Sequence, residues 1–127
     1  HMPTRRIVAK ELGALLKVLS NPDRILIIHA LAVTGASSVN AMAERLHLSP
    51  SRVSQHLALL RAFRIVRESS EGRQRIYTLV IDELPHWLLE GVDFVADRLG
   101  DVSTEQAEEA KRLWVEGSEL PTERAAS

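Results

Sequence analysis

The chain has 127 residues, enough for one domain with a real hydrophobic core. At 45% hydrophobic and 26% charged it is balanced like a globular protein, and no apolar run approaches membrane-spanning length. It contains no cysteine, which excludes disulfides, thiolate metal sites and thiol redox sensing, and its net charge of −1 conceals a strong asymmetry.

Residues 1–37 carry five bases against two acids, and residues 38–80 carry seven arginines against three glutamates. Residues 81–127 carry four bases against twelve acids. The positive half suits a polyanion, because the local field governs phosphate neutralisation more than net charge does. His1-Met2 looks like a cloning remnant, so the native start is expected at Met2. No signal peptide and no membrane partner are expected, and the expected address is cytoplasmic.

Ile7, Leu12, Leu15, Leu16 and Leu19 recur at helical spacing, which predicts an amphipathic helix over residues 5–19. Ser20-Asn21-Pro22-Asp23 breaks it, with Asn21 as cap and Pro22 as the first residue of the next helix. That helix, to about residue 33, is apolar on most sides and should be the centre of the core. Thr34-Gly35 ends it, because glycine accepts the left-handed backbone of a helix C-terminus. A short helix over 39–46 follows after Ser37-Ser38.

Ser49-Pro50 is a second helix start, and the helix it opens runs to about residue 63. Val53, Leu57 and Leu60 fall at i, i+4 and i+7 and predict its buried face. The opposite, N-terminal face carries Ser51, Arg52, Ser54, Gln55 and His56, beside the hydroxyl of Ser49. Short and forked hydrogen-bonding groups of this kind can meet base edges and phosphates in a major groove. Residues 65–68 alternate as a strand, residues 69–72 read as a turn, and residues 73–79 return as a second strand bearing Arg73 and Arg75. Helix, turn, helix and basic hairpin together predict a winged helix-turn-helix. The alternative, a helical core whose polar residues are only solvated, explains fewer of these signals.

After the hairpin, residues 82–85 start a long helix reaching about residue 99, with Leu84, Leu88, Val92, Val95 and Leu99 as its stripe and Trp87 and Phe94 beside it. Ser103-Thr104-Glu105-Gln106 has capping-box spacing and predicts a last helix over 104–116. The expected fold is therefore mainly α with a small β-hairpin wing, ordered α-α-α-α-β-β-α plus an additional C-terminal helix. Residues 5–116 are expected to form one DNA-binding and dimerisation domain, and 117–127 a polar tail. The first and penultimate helices carry more apolar surface than one small winged domain is expected to bury. A symmetric homodimer solves this, and folding back onto the same chain is the alternative.

These residues carry a resemblance. LKVLSNPDRILIIHALA followed by VNAMAERLHLSPSRVSQHLALLRAFRIVRESSEGRQRIYTL resembles the ArsR/SmtB family of bacterial repressors over roughly residues 10–98. The resemblance implies a dimeric winged helix-turn-helix bound to a double-stranded DNA operator and released by an effector. It implies DNA reading by Ser51, Arg52, Ser54, Gln55 and His56, and wing contacts by Arg73 and Arg75. His56 can instead brace its own helix, and Arg75 can simply flank the strand. The helix before the turn lacks the family's cysteine motif, reading Val39-Asn40-Ala41-Met42-Ala43-Glu44.

A second family site lies on the helix after the wing, where members bind zinc, cobalt or nickel. This chain offers Asp82, His86, Glu90 and Asp93, with Asp97 nearby. One imidazole among carboxylates suits a divalent ion such as nickel or zinc. The family spacing is Asp-x-His with a second histidine further on. Here Asp82 and His86 are four apart and the second histidine is missing, so a solvated acidic face is the competing reading. His29, in the most apolar helix, reads first as a core histidine, and His47 as an exposed turn residue. A winged-helix protein-interaction module, or a regulator answering to an organic ligand or protein co-regulator, remains the alternative function. An enzyme is not expected: there is no cysteine nucleophile, nucleophile elbow, glycine-rich phosphate loop or paired-histidine metal motif.

Overall fold

Each of the first four helices begins behind a short side chain whose oxygen takes up a free backbone N–H. Thr4 Oγ1 accepts from Ile7 N–H at 3.3 Å, and Asn21 Oδ1 accepts from Asp23 and Arg24 at 2.9 and 3.2 Å. Ser38 Oγ accepts from Ala41, and Ser49 Oγ from Arg52, each at 3.1 Å. Such a cap is worth about 1 kcal/mol, and Pro22 and Pro50 sit at first helical positions where no N–H is missed.

The structure, a computed structural model, describes residues 4–80 and 86–98, together with 105, 106, 108, 109 and 112. In chain order the elements are α1 (Arg5–Val18), α2 (Pro22–Thr34), β1 (Ser37–Ser38), α3 (Val39–Leu46), α4 (Pro50–Ala62), β2 (Val66–Glu71), β3 (Gln74–Leu79) and α5 (His86–Arg98). The chain divides into two compact units, residues 1–82 and 83–127. No helix among the described residues is long and apolar enough to cross a membrane.

The core of the first unit is built around α2, whose Ile27, Ile28, Ala30 and Leu31 are buried. Met42 of α3, Val53, Leu57 and Leu60 of α4, and Val66 of β2 close on it, with Tyr77 and Leu79 from β3. His29 is also buried, as the core reading expected, and no buried side-chain polar atom among the described residues lacks a hydrogen-bond partner. Gly35 ends α2 at φ 79° and donates its N–H to Leu31 O at 2.8 Å, the left-handed stop foreseen from Thr34-Gly35.

Two features of the sheet differ from the sequence reading. The hairpin gains a third strand, β1, which pairs antiparallel with β3 through Ser37↔Tyr77 and Ser38↔Ile76, in the order β1-β3-β2. Two residues are too few to show an alternating pattern. The wing turn is also tighter and later: Glu71 pairs with Gln74, so β2 extends through Glu71 and only Gly72-Arg73 turn. Gly72 has φ 62° and Arg73 does not share the positive φ, the pattern of a two-residue type II′ turn. Arg73 is therefore a tip residue rather than a strand residue.

Only the last turn of α1 is buried, at Val18 and Leu19. Its upstream apolar residues Ile7, Val8, Leu12 and Leu16 are about half exposed or more. In the second unit, α5 exposes Trp87, Phe94 and Val95, and the Arg98 guanidinium lies 5.0 Å from the centre of the Phe94 ring. The expected helix start at 82–85, Leu99 and the tail 117–127 lie outside the described residues. Of the expected last helix, 105, 106, 108, 109 and 112 are helical and the other positions lie outside them.

Candidate nucleic-acid interface

The turn between α3 and α4 is set by His47, whose φ of 57° places it in the left-handed region. Leu48 N–H reaches back to Ala43 O at 3.0 Å, and Ser49 then caps α4. His47 is exposed, as expected. Val53, Leu57 and Leu60 are fully buried, so the orientation of α4 about its axis is fixed. Ser51, Arg52, Ser54 and Gln55 are consequently exposed together along its first two turns. Ser49 sits at the edge of this surface with its hydroxyl oxygen committed to the cap.

His56 is placed differently from its neighbours. Its side chain is 14% exposed and lies against the start of α2. Arg24 Nη1 lies 3.3 Å from His56 Nδ1. A guanidinium can only donate, so Nδ1 accepts and the ring proton of a neutral imidazole falls on Nε2. That nitrogen faces Asp23 Oδ2 at 3.6 Å. The contacts of His56 thus run to α2 and not only within its own helix. The same Asp23 Oδ2 accepts from Arg52 Nη2 at 2.9 Å, while the Arg52 side chain stays 62% exposed.

The hairpin is tied to the other end of α4. Arg61 Nη1 donates to Glu68 Oε2 at 3.2 Å, and the Tyr77 hydroxyl donates to the same oxygen at 2.7 Å. Glu68 and Tyr77 are cross-strand partners, and Arg75, two residues before Tyr77, shares their face. Its Nη1 lies 4.0 Å from Glu68 Oε1, with the side chain 70% exposed. Arg64 holds the connection at φ 59°, and Ile65 N–H donates to Leu60 O at 2.9 Å. The wing therefore leaves α4 at a fixed angle, with Arg75 on the face turned to α4 and Arg73 at the tip.

The Tyr77 hydrogen bond, helped by Arg61 and Arg75, holds the Glu68 carboxyl below its ordinary value against an opposing effect of burial. Burial, then the bond to Glu68, raises the Tyr77 phenol above its ordinary value. A lowered carboxyl stabilises the fold above the unfolded glutamate value and loses that contribution as pH falls through its folded value. The raised phenol contributes below the ordinary tyrosine value and is lost in strong base. Tyr77→Phe is therefore expected to flatten the fall in stability between about pH 5 and 3, measured by urea melts of both proteins across that range. An unchanged acid limb would show that the bond to Tyr77 does not set the Glu68 titration.

Of the expected metal residues, only Glu90 and Asp93 have side chains in the described part of the chain. Asp82 and the side chain of His86 lie outside it. Glu90 is exposed and Asp93 half-buried on α5, and among the described residues no three His, Cys, Asp or Glu side chains are grouped to hold an ion. Sequence reasoning missed Asp23 and Arg24, whose partners Arg52 and His56 lie 29 and 32 residues away on another helix. It also missed Arg61 and Glu68, which meet only once the hairpin folds back on the end of α4.

A family model described as bacterial regulatory protein, arsR family, matches residues 21–68, which span α2 to the middle of β2. The chain is 33% identical over 90 residues to the HTH-type transcriptional repressor SmtB of Mycobacterium tuberculosis, covering 71% of this chain. It spans 66% of that repressor's length. It is 31% identical over 71 residues to the HTH-type transcriptional regulator YgaV of Escherichia coli, covering 56% of this chain and 72% of that one. Its fold is similar to the crystal structure of the antimony-specific transcriptional repressor AntR, with a TM-score of 0.63 and 30% identity over 73% of this chain and 84% of the other. The capped α4 with its exposed polar face, the braced hairpin beside it and these likenesses agree: the chain belongs to the arsR family of bacterial regulatory proteins and has a winged helix-turn-helix fold.

Proposed function

We propose that this chain is a sequence-specific DNA-binding transcriptional regulator that acts as a homodimeric repressor on a pseudo-palindromic operator, with residues 5–116 serving both DNA binding and dimerisation. One observation carries the reading. Burial of Val53, Leu57 and Leu60 turns Ser51, Arg52, Ser54 and Gln55 outward on a capped helix, while Arg73 and Arg75 stand on the adjoining wing. A helix of this width fits a major groove, where Arg and Gln read base edges, and wing arginines neutralise phosphates. The exposed apolar stripe of α1 supports a two-fold partner, which would present two such helices to two half-sites.

The absence of cysteine leaves oxygen and imidazole donors for any metal effector, and two of the expected ligands, Asp82 and the His86 side chain, lie outside the described residues. Antimony belongs to the description of AntR and is not carried over.

The test is duplex DNA binding by fluorescence anisotropy over a salt series, using a site selected from a random pool by the protein. Affinity should fall steeply with salt, and Arg73→Ala should lower the slope of log K against log salt by about one. Gln55→Ala should cost about 1–3 kcal/mol on the selected site and little on a scrambled duplex. Binding that is indifferent to salt, or Gln55→Ala losses equal on both duplexes, would sink the assignment of this face.

A further inference from the structure

We propose that Asp23, at the start of α2, is a positioning residue for sequence recognition: its carboxylate fixes the guanidinium of Arg52 on the DNA-facing side of α4, and Arg24 and His56 hold the site together from behind. The inference rests on the proposed DNA-reading role of Arg52. It begins from an anomaly, since an acid beside a phosphate-binding surface opposes nucleic acid unless it has another task. Asp23 is one of only two acids in residues 1–37, and its side chain is 21% exposed at the edge of that surface.

The geometry supplies the task. Arg52 Nη2 is held at 2.9 Å by Asp23 Oδ2, while the side chain as a whole stays 62% exposed. An arginine in that state has one nitrogen anchored by a single bond, leaving its other N–H donors for a base or phosphate. Anchoring removes rotamer freedom before DNA arrives, so less entropy is lost on binding and one register is favoured. Asp23 is itself held in place. Asn21 Oδ1 accepts from the N–H of Asp23, and His56 Nε2 faces the same oxygen that Arg52 uses. Arg24 lies against His56 Nδ1 and donates from Nε to the backbone oxygen of Val18 at the end of α1. The cluster thus runs from the end of α1, through α2, to the reading face of α4. His56, half-buried inside it, serves the position of Arg52 and reads no base.

The test compares wild type, Asp23→Asn, Arg52→Ala and the double variant on the selected duplex, on duplexes with single base changes in it, and on a scrambled duplex. Asp23→Asn keeps the size of the side chain and removes the anchoring charge. It is expected to lower the ratio of selected to scrambled affinity about tenfold, concentrated at the base step that Arg52→Ala also affects. Scrambled affinity should stay equal or rise slightly, since an acid near phosphate has been neutralised. In the Arg52→Ala background the same change should alter the ratio less than about twofold, because there is no guanidinium left to place. A merely structural role would weaken both duplexes together and persist without Arg52. Equal tightening on both duplexes would make Asp23 a simple competitor of DNA, and an unchanged ratio would show that Arg52 needs no anchor; each overturns the proposal while leaving the DNA-reading assignment standing. If Arg52→Ala itself leaves the ratio unchanged, the reading role of Arg52 fails and the positioning role with it.

Discussion

Leu57→Ala is expected to lower the stability of the first unit by about 2–5 kcal/mol, a large part of what holds a small domain folded. Leu57 is fully buried on α4, which packs against α2, α3 and β2. Truncation removes the transfer free energy of three carbons and leaves a cavity between helices whose other contacts, Val53 and Leu60, keep them from closing on it. Leu59, two residues on and only half-buried, serves as the control and should lose less when changed to Ala. Urea denaturation followed by circular dichroism measures both. The same cavity loosens the orientation of α4, so affinity for the selected duplex should fall although Leu57 touches no DNA. A loss below about 1 kcal/mol at Leu57, or no difference from Leu59, would mean that this face does not pin α4.

What could be read from the sequence was what is encoded locally. The caps at Asn21 and Ser49 involve residues two or three apart, so a side-chain oxygen and the N–H it serves sit in one short window. The face of α4 followed from Val53, Leu57 and Leu60 alone, because helical spacing turns three apolar residues inward and their neighbours outward. The features that escaped depend on contacts between distant segments. β1 is two residues long and exists only because β3 offers it an edge some forty residues later, at Ser37↔Tyr77. Asp23 meets Arg52 across 29 residues and Arg24 meets His56 across 32, so nothing near any of them announces the cluster. The wing turn was misplaced for a different reason: Ser69-Ser70-Glu71 has turn composition, but pairing against β3 continues while Gly72 alone supplies the positive φ that the reversal needs. His56 shows both effects. Its position in the sequence puts it on the polar side of α4, and the packing of α2 turns that position into a half-buried one.

Leu12→Glu combined with Leu16→Glu is expected to convert a homodimer into a folded monomer, and to lower affinity for a two-half-site duplex by about 10²–10⁴. The two leucines are one turn apart on α1, 51% and 55% exposed, and continue a stripe begun by Val8. Leaving such a row in water forgoes about 25 cal/mol per Å² of apolar surface that a partner would cover, which is why a second copy is the occupant argued for it. Their exposure within one chain also makes the substitution informative. A glutamate there stays hydrated in the monomer, so the fold should survive, whereas across a two-fold it would meet its own copy as an unpaired buried charge. Each half-site contact alone is weak. In a dimer the second half-site is bound at the effective concentration set by the first, and that advantage disappears when the chains separate. Sedimentation at micromolar concentration should therefore show the mass of one chain for the double variant and of two for the wild type. Circular dichroism should show unchanged helix, and a duplex carrying a single half-site should bind both proteins within a few-fold. A double variant that still sediments as a dimer would move the interface away from α1. A monomer that keeps full affinity for the two-half-site duplex would remove the reason for a palindromic operator.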